Sequence, residues 1–353
     1  MGHGPGQLTL ADARLAPQQQ RTLRRDRLAS SNATYESRWR LFAAYCASRS
    51  RDPFFASPAL VADFLLHVAE SRRASYSTLA GYRSAIGHVL RLVTDFDPST
   101  CPILSQLMRS FRRSQPVTAR RIPQWDFTLV LAVLCRKECR DALLPLPILT
   151  AKTVFLLALS SGERRHALAA LAFPPSFAED SVLLPFNEDY IPKSYFLRRN
   201  LSRIGPLSIP MCPNPDLLQV CPVRTLRFYL DAVASRRAST QTSLIIPHDL
   251  NSVLNISVQS VGRYIVRLVR FCYAVDGQLR PQCHGHDVRK IAASLRALTS
   301  VSLDDVLEAG QWSSPSTFLQ YYRVPFAPRR RTSLDRWCGL SVAKTVFSLQ
   351  AKE

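Results

Sequence analysis

Residues 157–166 read LALSSGERRH, an apolar run that ends in a glycine before an acid, two arginines and a histidine. The composition over 150–160 is typical of a buried helix. Gly162 can end that helix, because glycine readily adopts the left-handed conformation of a helix C-terminus. A second helix is then predicted to begin near Arg164. An arginine held between two packed helices is firmly positioned, although a solvated arginine pair is the simpler interpretation of this stretch alone.

The surrounding sequence combines several helix patterns with one short pair of strands. Helices are predicted over 127–135, 221–233 and 258–273, with several short helices from Asp287 to about Tyr322. Strands are predicted over 181–184 and 206–209, with a polar, arginine-rich hairpin region between them. We therefore expect a mixed, mostly helical domain with a small antiparallel sheet.

The first third of the chain carries four apolar stripes at helical spacing between residues 35 and 111. Ser57 followed by Pro58 is a typical helix start, with an N-cap serine and proline at the first helical position. The stripes predict an all-helical bundle. Arginines surround them at Arg38, Arg40, Arg72, Arg73, Arg83, Arg109, Arg112 and Arg113. They give the bundle a basic face. The alternative is that this face is simply solvated.

These patterns divide the chain into five segments, and the whole is predicted to be mainly α. The segments are a mobile basic arm at 1–25, a helical domain at 26–113, an extended basic linker at 114–124, the mixed domain at 125–330 and a C-terminal tail at 331–353. The tail is largely apolar over 340–349. It either packs on its own domain or docks on a neighbouring subunit.

Charge points to the class of partner. The chain has 353 residues with 46 Lys+Arg against 26 Asp+Glu, a net charge of +20, and only six of the cations are lysines. Such an excess on a folded chain favours a polyanion, most often nucleic acid. A hydrophobic fraction of 46% excludes wholesale disorder. No apolar run approaches the length of a membrane span, so we expect no membrane association.

Cysteine usage, the N-terminal sequence and the loop motifs restrict the cellular compartment and the possible cofactors. Nine scattered cysteines, an odd number, indicate reduced thiols in a cytosolic or nuclear compartment rather than a disulfide framework. The first twenty residues lack the apolar core of a secretory signal. Neither a GxxxxGK[ST] nor a GxGxxG loop is present, so no nucleotide cofactor is expected.

Lys193 stands out because it lies between the two predicted strands and is the only lysine between residues 153 and 289. Lysine can give up a proton and act as an acid, which arginine does not do at ordinary pH. In this arginine-rich region, we expect a site that accepts any cation to carry arginine. A chance surface lysine is the alternative.

The sequence HGHDVRK at 284–290 pairs an imidazole with a guanidinium. His286 and Arg289 are three residues apart and share one face of a helix. Together they suit a phosphate, whose oxygens arginine can clamp while histidine donates or accepts a proton. A zinc site is an alternative. It would use Cys272, Cys283, His284 and His286, but their spacing matches no common zinc pattern.

Trp312, Tyr321 and Tyr322 end the last predicted helical region. A tyrosine is a poor nucleophile at its ordinary pKa of about 10. Beside several fixed cations it becomes a usable nucleophile that can form a covalent ester. The alternative is that both tyrosines are core aromatics.

Taken in order, GER at 162–164, Lys193, HDVR at 286–289, Trp312 and Tyr321 resemble the motifs of the tyrosine recombinases, also called phage integrases. In that family the nucleophilic tyrosine follows a histidine or tryptophan by nine residues. This spacing selects Tyr321 rather than Tyr322, and the Gly-x-Arg motif likewise selects Arg164.

Three phrases are similar to recombinases of eukaryotic DIRS- and Crypton-like mobile elements: LALSSGERR at 157–165, CPVRTL at 221–226 and WSSPSTF at 312–318. The resemblance extends over about residues 30–322 and implies that the first domain is a core-binding domain. One departure is Ala167, where many members carry a carboxylate that supports the active site.

The resemblance implies DNA strand cleavage by transesterification without metal, ATP or any other cofactor. Tyr321 would form a 3′-phosphotyrosyl link while Arg164 and Arg289 bind the non-bridging oxygens. Lys193 would protonate the leaving 5′ oxygen, and His286 would assist proton transfer and phosphate binding. Trp312 would pack the site and donate its indole N–H to the phosphate.

The implied partners are double-stranded DNA and three further copies of the chain, acting as a homotetramer on paired DNA sites in the nucleus. Two other functions stay open. A recombinase-derived DNA-binding protein with weakened cleavage would account for Ala167. A topoisomerase IB-like enzyme would share the chemistry but only relax DNA strands.

Overall fold

The computed structural model describes residues 29–115, 122–192, 205–212, 215–247, 255–297, 302–304, 307 and 314–324. These residues form two compact units, 29–115 and 122–324. The predicted arm at 1–25, the tail at 331–353 and residues 116–121 of the predicted linker lie outside the described residues.

The first unit is helical, as the apolar stripes predict. Its helices are α1 (Ala29–Ala47), α2 (Pro58–Arg72), α3 (Tyr76–Val93) and α4 (Pro102–Ser114). Ser57 caps α2 by accepting a hydrogen bond from the amide of Leu60 at 3.2 Å, and Pro58 is the first helical residue. Edge-on aromatic contacts of Phe64 with Phe42 and Tyr82 lie in the core.

Most of the eight arginines around the predicted basic face are exposed. Arg40, Arg72, Arg73, Arg109, Arg112 and Arg113 are exposed, whereas Arg38 and Arg83 are partly buried. The guanidinium of Arg38 packs against Gly81 and lies 5.7 Å from the ring centre of Tyr82. The unit therefore carries its positive charge on its surface.

The second unit is built around one buried helix. Its helices are α5 (Phe127–Leu134), α6 (Leu146–Ser161), α7 (Arg165–Ala169), α8 (Pro222–Val233), α9 (Val258–Val275), α10 (Asp287–Ala297) and α11 (Pro315–Thr317). Almost every residue of α6 is buried, because α8, α9 and α10 all pack on it. This explains why its sequence is apolar on all sides rather than along one stripe.

A small antiparallel sheet completes the second unit, with strand order β1–β2–β3. The strands are β1 (Ser176–Phe177), β2 (Ser181–Leu184) and β3 (Leu207–Pro210), and Val182 pairs with Ile209. The sequence predicted one strand pair and so missed β1. Both residues of β1 are exposed, which leaves no alternation of apolar and polar residues to detect. β3 also lies one residue later than predicted.

A buried ion pair holds α6 in place from the side. The Nζ atom of Lys152 lies 2.7 Å from the carboxylate of Asp141, and both side chains are almost completely buried. Lys152 also donates to the carbonyl of Cys139 at 3.0 Å. The hydroxyl of Thr225 on α8 donates to the same carboxylate at 3.2 Å. The pair therefore joins three segments of the core.

None of the helices in the described part of the chain is both long and apolar enough to cross a membrane.

Candidate active site

The first predicted motif forms the junction between α6 and α7. Gly162 has a φ of +64° and ends α6, and Arg164 is the half-buried N-cap residue of α7, as the sequence predicted. The hydroxyl of Ser161 accepts from the amide of Glu163 at 3.1 Å and fixes the turn. Arg164 is therefore held where two helices meet.

Arg289 reaches the same junction from α10. Its side chain is buried, with 5% of the residue exposed, and its Nη1 donates to the carbonyl of Gly162 at 2.6 Å. Asp287 fixes the start of α10 because its carboxylate accepts from the amide of His284 at 2.8 Å and from the indole of Trp125 at 3.2 Å. Two predicted motifs that are more than 120 residues apart are thus in contact.

The two predicted arginines act on each other electrostatically. Burial is the main cause that lowers the pKa of Arg289, and the positive charge of Arg164 lowers it further. The carboxylate of Glu163 opposes both effects. The charge of Arg164 thus disfavours the charged form of Arg289, and an anion bound beside both groups would relieve this effect.

Arg296 is a third arginine at this junction, and no sequence motif identified it. Its Nη2 donates to the carbonyl of Ser161 at 2.5 Å and to that of Ser160 at 3.3 Å. Burial lowers its pKa to about 10, with the charge of Glu163 acting in the opposite direction. Arg289 and Arg296 together cover three carbonyls at the negative end of the α6 dipole. Arg289 and Arg296 are seven residues apart, which is two turns of α10. This spacing could have predicted from the sequence that both side chains lie on the same face of the helix.

His286 lies one turn before Arg289 and is exposed. Its Nε2 is 2.6 Å from Nη2 of Arg165, the arginine that the family motif did not select. Although His286 is exposed, the protein atoms around its ring partly desolvate it, which is the main cause that lowers its pKa, and the charge of Arg165 is the next largest cause. His286 thus directly precedes α10 and Arg289 lies in its first turn, and each of the two residues has its own arginine neighbour.

The two tyrosines lie in different surroundings. Residues Phe318–Tyr322 form a single π-helical turn, closed by a hydrogen bond from the amide of Arg323 to the carbonyl of Phe318 at 3.0 Å. The side chain of Tyr322 is hydrogen-bonded to Arg289, whose Cζ lies 5.5 Å from the ring centre. Tyr321 is 57% exposed. Arg289 thus contacts Tyr322, not the Tyr321 that spacing selects.

Two hydrogen bonds tie this π turn to α10. The hydroxyl of Ser294 donates to the carbonyl of Tyr322 at 2.9 Å and accepts from the amide of Val324 at 2.7 Å. Phe318 is buried against Ala293 of the same helix. The helix that carries Arg289 therefore also positions the tyrosine.

This geometry can be compared with known proteins. No protein-family model matches the sequence, and no curated protein is significantly similar to it. Solved structures are similar in fold over most of the chain. A lambda integrase dimer bound to a COC′ core site is 12% identical, with a TM-score of 0.55, covering 93% of this chain and 81% of the integrase.

Two further structures match with comparable TM-scores. The XerH site-specific recombinase bound to palindromic difH substrate has a TM-score of 0.56 at 13% identity, covering 91% of this chain and 84% of its own. The Tn1549 transposon integrase in complex with transposon right end DNA has a TM-score of 0.54 at 13% identity, covering 88% of this chain and 94% of the integrase chain. The chain has the tyrosine recombinase fold. The similarity to DIRS- and Crypton-like elements rests on the sequence phrases alone.

Within the tyrosine recombinase fold of this chain, Tyr190 is a second residue that the sequence analysis missed. Its ring stacks on Phe186 at 4.6 Å and lies 5.4 Å from the ring of His166 on α7. Burial raises the pKa of Tyr190, while the charges of Arg164 and Arg289 lower it. Tyr190 therefore packs the loop after β2 against the helix that follows Arg164.

Two predicted site residues, Lys193 and Trp312, lie outside the described residues. Ala167 is buried in α7, where no carboxylate is available from that position. No group of three or more His, Cys, Asp or Glu side chains within the described ranges could hold a metal ion, and the zinc site considered from the sequence is not formed.

Proposed function

We propose that this protein is a site-specific DNA recombinase that cuts and rejoins DNA strands through a 3′-phosphotyrosyl intermediate. The observation that carries the proposal is the contact of a tyrosine side chain with the buried Arg289, next to Arg164 at the end of α6. Arginine pairs suit the two non-bridging oxygens of a phosphodiester, where charge builds up in the transition state.

The proposed step is a transesterification that needs no metal or ATP. The tyrosine oxygen attacks the phosphorus and forms a tyrosine–phosphate ester, while the bond between phosphorus and the 5′ oxygen breaks. The tyrosine proton passes to a base, for which His286 is the candidate, and Lys193 protonates the departing 5′ oxygen. Attack by a 5′-hydroxyl of another strand reverses the step and completes the exchange.

The contacts favour Tyr322 as the nucleophile, although the nine-residue spacing from Trp312 selects Tyr321. A π turn holds about one residue more than an α turn. A residue after a π turn therefore faces the direction that the preceding residue would face in an uninterrupted α-helix. The turn at Phe318–Tyr322 gives this displacement and turns Tyr322, at spacing ten, towards Arg289.

Glu163 is our candidate for the supporting carboxylate that position 167 lacks. Its charge acts on both Arg289 and Arg296, and its backbone precedes Arg164 directly. A carboxylate there offsets part of the cost of burying two guanidinium groups. In this proposal the supporting carboxylate is at position 163, four positions before the position where many family members carry it.

The proposed substrate is double-stranded DNA, bound by the +20 charge of the chain and by the exposed arginines of the helical first unit. The solved structures of similar fold include DNA-bound complexes. We extend to this chain a DNA-binding role for the first unit, an assembly of four copies on two DNA sites, and nuclear localisation.

Covalent trapping tests the proposal. The probe is a pool of duplexes with randomised sequence on both sides of a nick, so that cleavage near the nick releases a short fragment and cannot reverse. In EDTA and without ATP, we expect a protein–DNA adduct that survives SDS, and none with the double variant Tyr321→Phe/Tyr322→Phe. Absence of an adduct with the wild-type chain would contradict cleavage.

A DNA-binding protein that has lost cleavage is the second candidate, and Ala167 is the observation that favours it. The same experiment separates the two functions. Retention of the duplex pool in a native gel without any SDS-stable adduct would support this alternative.

A further inference from the structure

His286 forms a hydrogen-bonded pair with Arg165, a residue that neither the motif pattern nor the proposed reaction uses. We propose that Arg165 is a positioning residue that holds His286 as a neutral imidazole with its proton on Nδ1. The role of His286 in cleavage rests on the proposed function, whereas its protonation state does not.

The side chain of Arg165 occupies a slot built from two glycines. A Cβ added at Gly262 on α9 would lie 2.6 Å from Nη1 of Arg165, and a Cβ added at Gly285 would lie 2.7 Å from the Cα of Gly262. Both distances are far shorter than van der Waals contact. The close approach of Gly262 and Gly285 therefore leaves room for this guanidinium and directs it towards His286.

The direction of the hydrogen bond fixes the tautomer. Arginine has only N–H donors and stays protonated, so the ring nitrogen opposite it must accept. The Nε2 of His286 therefore carries a lone pair, and the single proton of the neutral ring lies on Nδ1. Protonation of Nε2 would require this hydrogen bond to break.

The charges around His286 favour the same state. Arg165, Arg289 and Lys290 lower its pKa in addition to partial burial, and Asp287 alone opposes them. Three cations against one carboxylate hold the ring neutral near pH 7. Under the proposed function, His286 then meets DNA as an Nδ1–H hydrogen-bond donor, and its Nε2 becomes a base only after Arg165 moves away.

NMR of the free, full-length chain with ¹⁵N-labelled histidine tests the inference without DNA. His286→Gln identifies the signals. We expect Nδ1 to be the protonated nitrogen and the pKa to lie below the ordinary histidine value of about 6.5. In Arg165→Met, the pKa should rise and Nε2 should become protonated in a larger share of molecules.

Two further variants make the test specific. Gly262→Ala keeps every charge but obstructs the slot, so it should change the tautomer in the same direction as Arg165→Met. Arg263→Met removes an exposed cation from the next position of α9 and should leave both the tautomer and the pKa of His286 unchanged. A protonated Nε2 in the wild type, or no change in Arg165→Met, would overturn the inference. Because the readings come from the free protein, they stand or fall independently of any DNA adduct.

Discussion

The Nη1 atom of Arg289 donates to the carbonyl oxygen of Gly162 at 2.6 Å, across 127 residues of sequence. The contact joins the glycine of the first motif to the arginine of the His-x-x-Arg motif. Because Gly162 ends α6 and directly precedes Glu163 and Arg164, this bond sets the separation of the two arginines that we propose to bind the phosphate. Disturbing the junction should therefore alter stability and cleavage together.

Arg296 should be a major source of stability at this junction. Replacement by methionine keeps much of the side-chain volume but leaves the carbonyls of Ser160 and Ser161 without their guanidinium donor. We expect the free energy of unfolding to fall by about 2–4 kcal/mol, measured by urea denaturation. The exposed Arg263 on α9 is the control, and Arg263→Met should cost less than about 0.5 kcal/mol. Equal losses in the two variants would contradict the structural role of Arg296.

The buried Lys152–Asp141 pair should behave differently from an exposed pair of similar length. Asp141→Asn leaves a buried ammonium without its counter-charge and should cost about 3–5 kcal/mol. Glu36→Gln breaks the exposed pair with Arg40, whose atoms are 2.6 Å apart, and should cost about 0.5 kcal/mol or less. The measurement is urea denaturation at neutral pH. The double variant Lys152→Met/Asp141→Leu should recover part of the loss, and no recovery would argue against an uncompensated charge.

DNA binding should depend steeply on salt. A chain of charge +20 that contacts six to ten phosphates should lose about 10³–10⁵ in affinity between 50 and 200 mM salt. Fluorescence anisotropy with a labelled mixed-sequence duplex gives the slope. Arg112 and Arg113 are exposed at the end of α4, and replacing both with glutamine should reduce the slope by roughly two if both contact phosphates. A slope near zero would exclude an electrostatic DNA-binding surface.

Two buried thiols should resist alkylation in the native protein. Burial raises the pKa of Cys272 to about 12 and that of Cys46 to about 11. At pH 8 both groups stay protonated, and the thiolate is the reactive form. Mass spectrometry after brief iodoacetamide treatment should find Cys101, which is partly exposed, labelled before either of them. Labelling of Cys272 or Cys46 at the rate of Cys101 would show that the core of the unit that carries that thiol opens readily.

The helices and the first motif could be predicted because their signals are local. Gly162 ends α6 in the left-handed conformation, and Ser57 with Pro58 begins α2. An apolar stripe, a capping serine and a C-terminal glycine each determine the structure of residues only a few positions away in the sequence. The same reasoning failed at β1, whose two exposed residues carry no period.

The site could be predicted only in part, because its remaining contacts depend on distant residues. The pairing of Arg165 with His286 depends on Gly262 and Gly285, which no motif links to either residue. The family spacing counted from Trp312 selects Tyr321, whereas the described contact of Arg289 is with Tyr322, in the π turn. Sequence spacing therefore identifies candidate residues, whereas the contacts that those residues make depend on packing between distant segments.

The proposed cleavage forms a covalent bond between DNA and a tyrosine of the Phe318–Tyr322 turn. The most direct measurement is peptide mapping of the trapped adduct, after nuclease and trypsin digestion, by tandem mass spectrometry. We predict a nucleotide attached to Tyr322, with the adduct retained in Tyr321→Phe and lost in Tyr322→Phe. Attachment at Tyr321 would be consistent with the proposed cleavage but would contradict the assignment of Tyr322 as the nucleophile. An adduct that survives the double variant, or no adduct at all, would contradict cleavage by a tyrosine of this turn.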